Sequence, residues 1–218
     1  MNPMPSTPAD NRPSEASSDT RTAVRKRPPP GERRVQILQT MAAMLQEPGT
    51  EPVTTAALAA RLDVSEAALY RHFASKAQMF EDLIAFIETS VFGLINQIQS
   101  RHAEGADGRR QALQIVAVFL QFAEKNPGMA RVMAGDALVR ENLRLQQRMN
   151  LFFDKLEAAL KQVLQTEGGQ NATDAALSAS VLMAFASGKL QRFVRSGFRH
   201  APSAQLDAAL ALLLRAIH

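Results

Sequence analysis

The chain has 218 residues, of which 46% are hydrophobic and 21% are charged, with no cysteine and no tryptophan. Length and apolar content suffice for one large or two small domains. The absence of cysteine excludes disulfides, zinc–thiolate sites and thiol catalysis, and fits a reducing cytosol. The net charge of +4 and a pI near 9.8 favour a polyanionic partner. No apolar run reaches the length of a membrane span, and the N-terminus lacks a signal-peptide core.

Residues 1–30 have the composition of a disordered tail, since seven of the eleven prolines lie there among Ser and Thr. Such a segment is either a solvated linker or an arm that contacts DNA beside a DNA-binding domain. We expect weak, non-specific phosphate contacts from its basic end. The cations there continue into the first helix: Arg21, Arg25, Lys26, Arg27, Arg33 and Arg34.

Helical spacing of apolar residues predicts a first helix over about residues 32–46, and Pro48 and Gly49 end it. Arg33 and Arg34 lie at its start, where they could meet the backbone of a duplex. The residues expected to face the core are Leu38, Met41, Ala42 and Leu45.

Two short helices joined by a tight turn are predicted between Thr54 and Lys76. Thr54 is a good N-cap for the first, and Ser65 for a second that extends from Glu66 to His72. This arrangement is typical of the helix-turn-helix motif, whose second helix enters the DNA major groove. From the pattern alone, an ordinary helical hairpin fits equally well.

The side chains of the second helix suit contact with DNA. Ala67 is small enough to approach base edges and thymine methyls, and we predict Thr55 and Ala67 near bases. Tyr70, His72 and Lys76 are expected to contact phosphates, while other apolar side chains pack inward. The predicted DNA-binding residues are Arg33, Arg34, Thr54, Thr55, Ser65, Ala67, Tyr70, Arg71, His72 and Lys76.

Six further helices are predicted, over about residues 76–102, 109–124, 127–134, 138–165, 173–195 and 203–217. Asn126 should cap the third of these, with Pro127 in its first position and Gly135 after its end. The 138–165 helix carries an apolar seam that suits another helix. The seam residues are Leu145, Met149, Phe152, Leu156, Ala159 and Val163.

The last two predicted helices are rich in Ala and Leu and are candidates for a subunit interface. Ala175, Ala179 and Ala186 recur on successive turns of the first of them. Two such helices from each of two subunits would form a four-helix interface, and an intramolecular core is the alternative. We prefer a homodimer, because one helix-turn-helix covers only a half-site and such proteins usually bind paired half-sites.

No cluster of residues indicates an enzyme, a metal or a cofactor. None of the four histidines pairs with a carboxylate at the helical spacing of a metal site or catalytic dyad. No phosphate-binding glycine loop or hydrolase elbow is present. A regulator that releases DNA on binding a small molecule would need a closed apolar pocket with a few polar groups. The C-terminal half shows few polar residues at inward positions.

The string LYRHF at residues 69–73, followed by Ser75, Lys76 and an apolar helix, resembles the DNA-binding domain of the TetR family. The resemblance implies an all-α homodimer of about nine helices. It places a three-helix DNA-binding domain at residues 32–77 and a larger helical domain for dimerisation and partner binding at residues 78–218. Asp63 stands where the family usually has a glycine, and Ala74 replaces the usual proline.

Other strings resemble the branch of this family that acts in nucleoid occlusion. They are residues 53–88, EKNPG at 124–128, GDAL at 135–138 and FVRS at 193–196 with Phe198. The resemblance, over about residues 32–217, implies a cytoplasmic, nucleoid-associated dimer that binds palindromic DNA sites. It also implies that the DNA-bound dimer engages the C-terminal tail of the division protein FtsZ and disrupts its polymers.

The resemblance further implies that the FtsZ tail lies in a groove between the fourth and fifth helices. The matching positions are Phe86, Val118, Gln121, Lys125 and Asn126. Gln121 stands where this branch has a glycine, so a side chain is present at a groove position where the branch has none. Lys125 stands where the branch has an arginine.

Overall fold

The computed structural model describes residues 31–47, 52–101, 107–139, 141–166 and 171–216. The predicted tail, Pro48, Gly49, His102 and His218 lie outside these residues. All regular structure in the described part is helical, which confirms the all-α prediction. The elements are α1 (Glu32–Gln46), α2 (Thr55–Arg61), α3 (Glu66–Tyr70), α4 (Lys76–Arg101), α5 (Gly108–Lys125), α6 (Pro127–Met133), a 3-10 turn (Asp136–Leu138), α7 (Leu143–Leu164), α8 (Ala172–Arg195) and α9 (Leu206–Ala216).

Three helix boundaries differ from the predicted ones, and among them α9 begins at Leu206 rather than at residue 203. Helix α7 begins at Leu143 rather than at residue 138, because Gly135 adopts a left-handed φ of 84° and a 3-10 turn follows it. The side chain of Asn142 then caps α7 by accepting from the Arg144 amide. Helix α3 ends at Tyr70, two residues before the predicted end, so His72 lies in the following turn.

Helices α1, α2 and α3 pack around a small core that continues into the rest of the chain. Ile37, Met41, Leu58, Leu69 and Phe73 are buried there. Each such side chain contributes about 1.5–3 kcal/mol when removed from water. The same apolar cluster extends through α4 to α8, so the helix-turn-helix unit is not packed independently of the C-terminal helices.

Helix α6 joins the helix-turn-helix unit to the C-terminal helices through a close contact with α1. Gly128 of α6 lies so near Ala42 that an added Cβ would stand 1.9 Å from the Ala42 carbonyl oxygen. Beside it, the Arg131 guanidinium donates to the Glu47 carbonyl at 3.2 Å. Behind it, the Gln191 amide of α8 donates to the Ala134 carbonyl at 2.8 Å. Helix α6 and its C-terminal end therefore contact both α1 and α8.

Helix α4 packs on α7 with ion pairs along one edge. Glu88 lies 3.2 Å from Arg148 and 3.7 Å from Lys155, and Glu81 lies 3.7 Å from Arg144. Partly exposed pairs of this kind contribute up to about 1 kcal/mol each, so they fix the register of the two helices more than their stability. The buried residues of α4 include Leu83, Ile84, Ile87, Val91 and Ile95, whereas Leu94 is exposed.

The predicted seam of α7 is confirmed as an intramolecular contact. Its residues are buried, except the half-buried Ala159, and α7 packs on α5 and α8. Phe152 lies at the centre, with its ring centroid 5.8 Å from that of Phe92 and 6.3 Å from that of Phe119.

Helix α8 has two apolar faces. Ala175, Ala179 and Ala186 are buried in the core of the subunit, so the intramolecular alternative is correct for these alanines. The opposite face carries Leu177, Val181, Ala184 and Gly188 at steps of four and three residues. We call these four residues the α8 stripe. Leu177 is 66% exposed and Val181 44% exposed, and Leu212 on α9 is 65% exposed.

Among the described residues, no helix combines the length and the hydropathy needed to cross a membrane. The same residues contain no group of three histidine, aspartate or glutamate side chains placed to hold a metal ion.

Candidate nucleic-acid interface

Both predicted caps of the helix-turn-helix motif form. The Thr54 hydroxyl accepts from the Ala57 amide at 3.1 Å, and the Ser65 hydroxyl accepts from the Ala68 amide at 3.3 Å. Asp63 turns the chain between the helices with a left-handed φ of 55°, a conformation that Asp tolerates better than most residues. Glycine is thus not needed for this turn.

Helix α3 buries one face and exposes the other. Leu69 and Phe73 are each 1% exposed and pack inward, as predicted. Ala67, Tyr70 and Arg71 point outward, and Tyr70 is 47% exposed. The spacing i, i+3 and i+4 places these three side chains on one surface of the helix, which we call the α3 face.

Thr55 connects the two helices of the motif. Its hydroxyl donates to the Glu66 carboxylate at 2.6 Å, so the first turn of α2 is held against the first turn of α3. The predicted role of Thr55 near bases remains a prediction, and in the described geometry its hydroxyl proton is used by Glu66.

The cations predicted to contact phosphates differ in whether a carboxylate of the same chain already pairs with them. Arg33 and Arg71 hold no ion pair within the described part of the chain, and Arg33 donates only to Gln36 at 2.7 Å. Lys76 lies 2.5 Å from the Glu141 carboxylate and 5.7 Å from the Phe80 ring centroid. The contact of Lys76 with DNA stays a prediction. A phosphate would have to compete with Glu141 for the Lys76 ammonium.

Arg34, like Lys76, is paired with a carboxylate of the same chain. Its guanidinium donates to the Asp82 carboxylate and to the His72 carbonyl, both at 2.5 Å. The half-buried His72 contributes its backbone to this contact. Neither carboxylate partner was predicted from the sequence. Asp82 lies 48 residues from Arg34, and Glu141 lies 65 residues from Lys76, so no local pattern connects them.

The second predicted site lies on α4 and α5, which pack against each other. Phe86 is a large side chain that is 51% exposed. Val118, Gln121 and Lys125 recur at steps of three and four on α5, and the last two are exposed. Along α4, Gly93 stands seven residues after Phe86, and a Cβ there would meet nothing within 4 Å. Gly93 was not among the residues predicted from the sequence, and the exposure of Phe86 shows that it is not a core aromatic.

Asn126 occupies the predicted cap position before α6, but its side chain makes no cap bond there. Its amide instead donates to the Phe122 carbonyl at 2.8 Å, so it closes the end of α5. The prediction of a side-chain cap is wrong because the last turn of α5 offers a carbonyl within reach.

A cavity of about 400 Å³ lies between α7 and α8 and is open to solvent. Charged side chains form half of its lining, which differs from the closed apolar pocket that a small-molecule effector would need. The lining residues are Asp154, Glu157, Ala158, Lys161, Ala176 and Ala179.

Comparison with known proteins covers both halves of the chain. Residues 37–83 match the family model for bacterial regulatory proteins of the tetR family, and residues 110–218 match that for a tetracyclin repressor-like, SlmA-like C-terminal domain. The chain is 47% identical to the nucleoid occlusion factor SlmA of Colwellia psychrerythraea, with 84% of this chain and 92% of that protein covered. It is 49% identical to SlmA of Cronobacter sakazakii, with 83% and 92% covered.

A solved structure of the transcriptional regulator FadR from Bacillus subtilis, in complex with stearoyl-CoA, has the same fold. The TM-score is 0.66 and the identity 18%, with 84% of this chain and 99% of that chain covered. The chain therefore belongs to the TetR family of bacterial regulatory proteins and, within it, to the group of the nucleoid occlusion factor SlmA.

Proposed function

We propose that this protein is a sequence-specific DNA-binding homodimer and nucleoid occlusion factor, acting in the cytoplasm on the nucleoid. The observation that carries the proposal is the α3 face, where small, aromatic and cationic side chains stand exposed on a capped helix-turn-helix. The high identity to SlmA along most of the chain supports the biological role.

The α3 face has the chemistry for a major groove. Ala67 allows the backbone near base edges and thymine methyls. Tyr70 and Arg71 then reach phosphates on the same side of the helix, with Arg33, Thr54, Ser65 and His72 contributing from the flanks. Arg71 is well placed for this, since no carboxylate within the described residues neutralises it.

The proposed dimer forms through α8 and α9. The α8 stripe and Leu212 leave large apolar side chains in water, whereas the buried face of α8 is already filled by its own subunit. Gly188 within the stripe has open space around it, so a second helix can approach closely there. A two-fold pair of such faces gives a four-helix interface and presents two α3 faces to a palindromic site.

We expect Arg71→Ala to weaken binding to all duplexes and to lower the salt slope of log Kd by about one, because one phosphate contact is lost. Fluorescence anisotropy with a labelled duplex at several salt concentrations measures both. Arg110→Ala on α5, which also removes an exposed arginine, is the matched control and should leave the slope unchanged. If the salt slope of Arg71→Ala equals that of the unmodified protein, Arg71 does not contact a phosphate.

The proposed partner of the DNA-bound dimer is the C-terminal tail of FtsZ, seated between α4 and α5. Phe86 and Val118 supply apolar contact there, and Lys125 supplies a cation at the end of the groove. Gln121 narrows the groove beside Val118, so the tail must pass over its side chain. Asn126 contributes indirectly, because its hydrogen bond to the Phe122 carbonyl fixes the end of α5 that carries Lys125.

Sedimentation of FtsZ polymers tests this proposal. With the protein and its DNA site, pelleted FtsZ should fall, and Phe86→Ala should restore most of the pellet because a large exposed anchor is removed. Val139→Ala, which truncates an apolar side chain that is exposed outside the groove, is the control. An unchanged pellet with the unmodified protein, while DNA binding is intact, would refute the FtsZ role.

A further inference from the structure

Three helices meet at one guanidinium beside the DNA-binding face. Arg34 of α1 donates through Nη1 to the carbonyl of His72 and through Nη2 to the carboxylate of Asp82 on α4, each at 2.5 Å. Its Cζ also lies 4.3 Å from the centroid of the Phe73 ring. His72 and Phe73 lie two and three residues after Tyr70, the last residue of α3. Two of the three contacts therefore act on the chain that leaves the recognition helix, and the third connects Arg34 to α4.

The recognition helix needs such a support because it is short. Helix α3 has five residues, so few internal hydrogen bonds fix its direction. Its start is held by the Ser65 cap and by the Thr55–Glu66 bond. Its end is held by the burial of Leu69 and Phe73 and by the Arg34 contacts.

A planar guanidinium can make all three contacts at once, and an ammonium cannot. Arginine presents several N–H groups in a fixed plane and stacks on aromatic rings, whereas lysine acts as a single compact charge. The positive charge of Arg34 is moreover balanced by Asp82, so little of it remains for a phosphate. Within the described residues Arg33 differs in these features, since its guanidinium donates there only to Gln36.

We propose that Arg34 is a positioning residue of the DNA interface rather than a phosphate contact. Its guanidinium ties the end of α3 to α1 and α4 and so sets the angle at which Ala67, Tyr70 and Arg71 meet the groove. This inference rests on the proposed DNA-binding function and assigns a role to Arg34 and Asp82 within it.

The two roles predict opposite results for Asp82→Ala. If Arg34 positions α3, loss of its carboxylate partner lowers DNA affinity about tenfold and leaves the salt slope unchanged, because no phosphate contact is lost. If Arg34 contacts phosphate, the same change frees its charge and raises affinity. Arg34→Lys should likewise lose about tenfold, and Arg110→Lys, at an exposed arginine of α5 outside the DNA interface, should stay within twofold. A rise in affinity for Asp82→Ala, or full affinity for Arg34→Lys, would overturn the inference.

A measurement without DNA separates this inference from the proposed function. Tyr70 is the only tyrosine and the chain has no tryptophan, so intrinsic fluorescence reports on α3 alone. Asp82→Ala and Arg34→Lys should increase iodide quenching of Tyr70 while far-ultraviolet circular dichroism stays that of a folded helical protein. Quenching equal to that of the unmodified chain in both variants would contradict the positioning role. Failure of the unmodified protein to bind any duplex would instead refute the DNA-binding proposal.

Discussion

Replacement of Gly128 by alanine is expected to lower the free energy of unfolding by about 3 kcal/mol, because the new methyl group must displace backbone. The added Cβ would lie 1.9 Å from the Ala42 carbonyl oxygen and 2.8 Å from its carbonyl carbon. A flexible side chain could move aside, but these atoms belong to helix α1. Urea unfolding followed by circular dichroism measures the loss.

Gly93→Ala is the matched control for this prediction. Gly93 also lies within a helix, and a Cβ there would meet nothing within 4 Å. Alanine should therefore stabilise the chain by about 0.5–1 kcal/mol, through the lower backbone entropy of its unfolded state. Equal stability of the two variants would show that α1 and α6 are not in close contact.

The second large effect is expected from Val181→Glu, which should convert the dimer to a monomer. The change puts a carboxylate at the centre of the α8 stripe, where a partner helix would leave it without water or a counter-charge. Binding to a duplex with two half-sites should weaken by about 100-fold or more, because the two α3 faces are no longer linked. Light scattering after size-exclusion chromatography measures the mass.

Asn96→Glu provides the control for added charge. Asn96 is exposed on α4, a helix that is not part of the proposed interface, so this variant should remain a dimer and retain its affinity. Val181→Glu should also keep the helical content and the weak binding to a single half-site of the parent chain. A Val181→Glu protein that is still dimeric would exclude the α8 stripe as the interface.

The contact between α1 and α6 has a consequence for paired half-sites. Because Gly128 packs directly on Ala42, the helix-turn-helix unit is held to the C-terminal helices by backbone-level packing rather than by a flexible linker. In the proposed dimer, the separation of the two α3 faces is then set by the α8–α9 interface through rigid helices. A fixed separation favours one spacing of half-sites over others.

Local sequence patterns determined the helices and the helix-turn-helix motif. Thr54 and Ser65 predicted the starts of α2 and α3, and both side chains form the expected caps. The apolar spacing along residues 145–163 predicted the buried face of α7. Such features depend on residues within a turn or two of each other, so the sequence carries them without reference to the rest of the fold.

Only the tertiary structure decided which partner each side chain meets. Arg34 was predicted at a duplex, yet it lies on Asp82 and Phe73; Asn126 was predicted to cap α6, yet it bonds to Phe122. The alanines of α8 fill the core of their own subunit, and other residues form the exposed stripe. Periodicity shows that a helix has an apolar face, but the identity of what covers it depends on contacts between residues far apart in the chain, which form only when the helices pack.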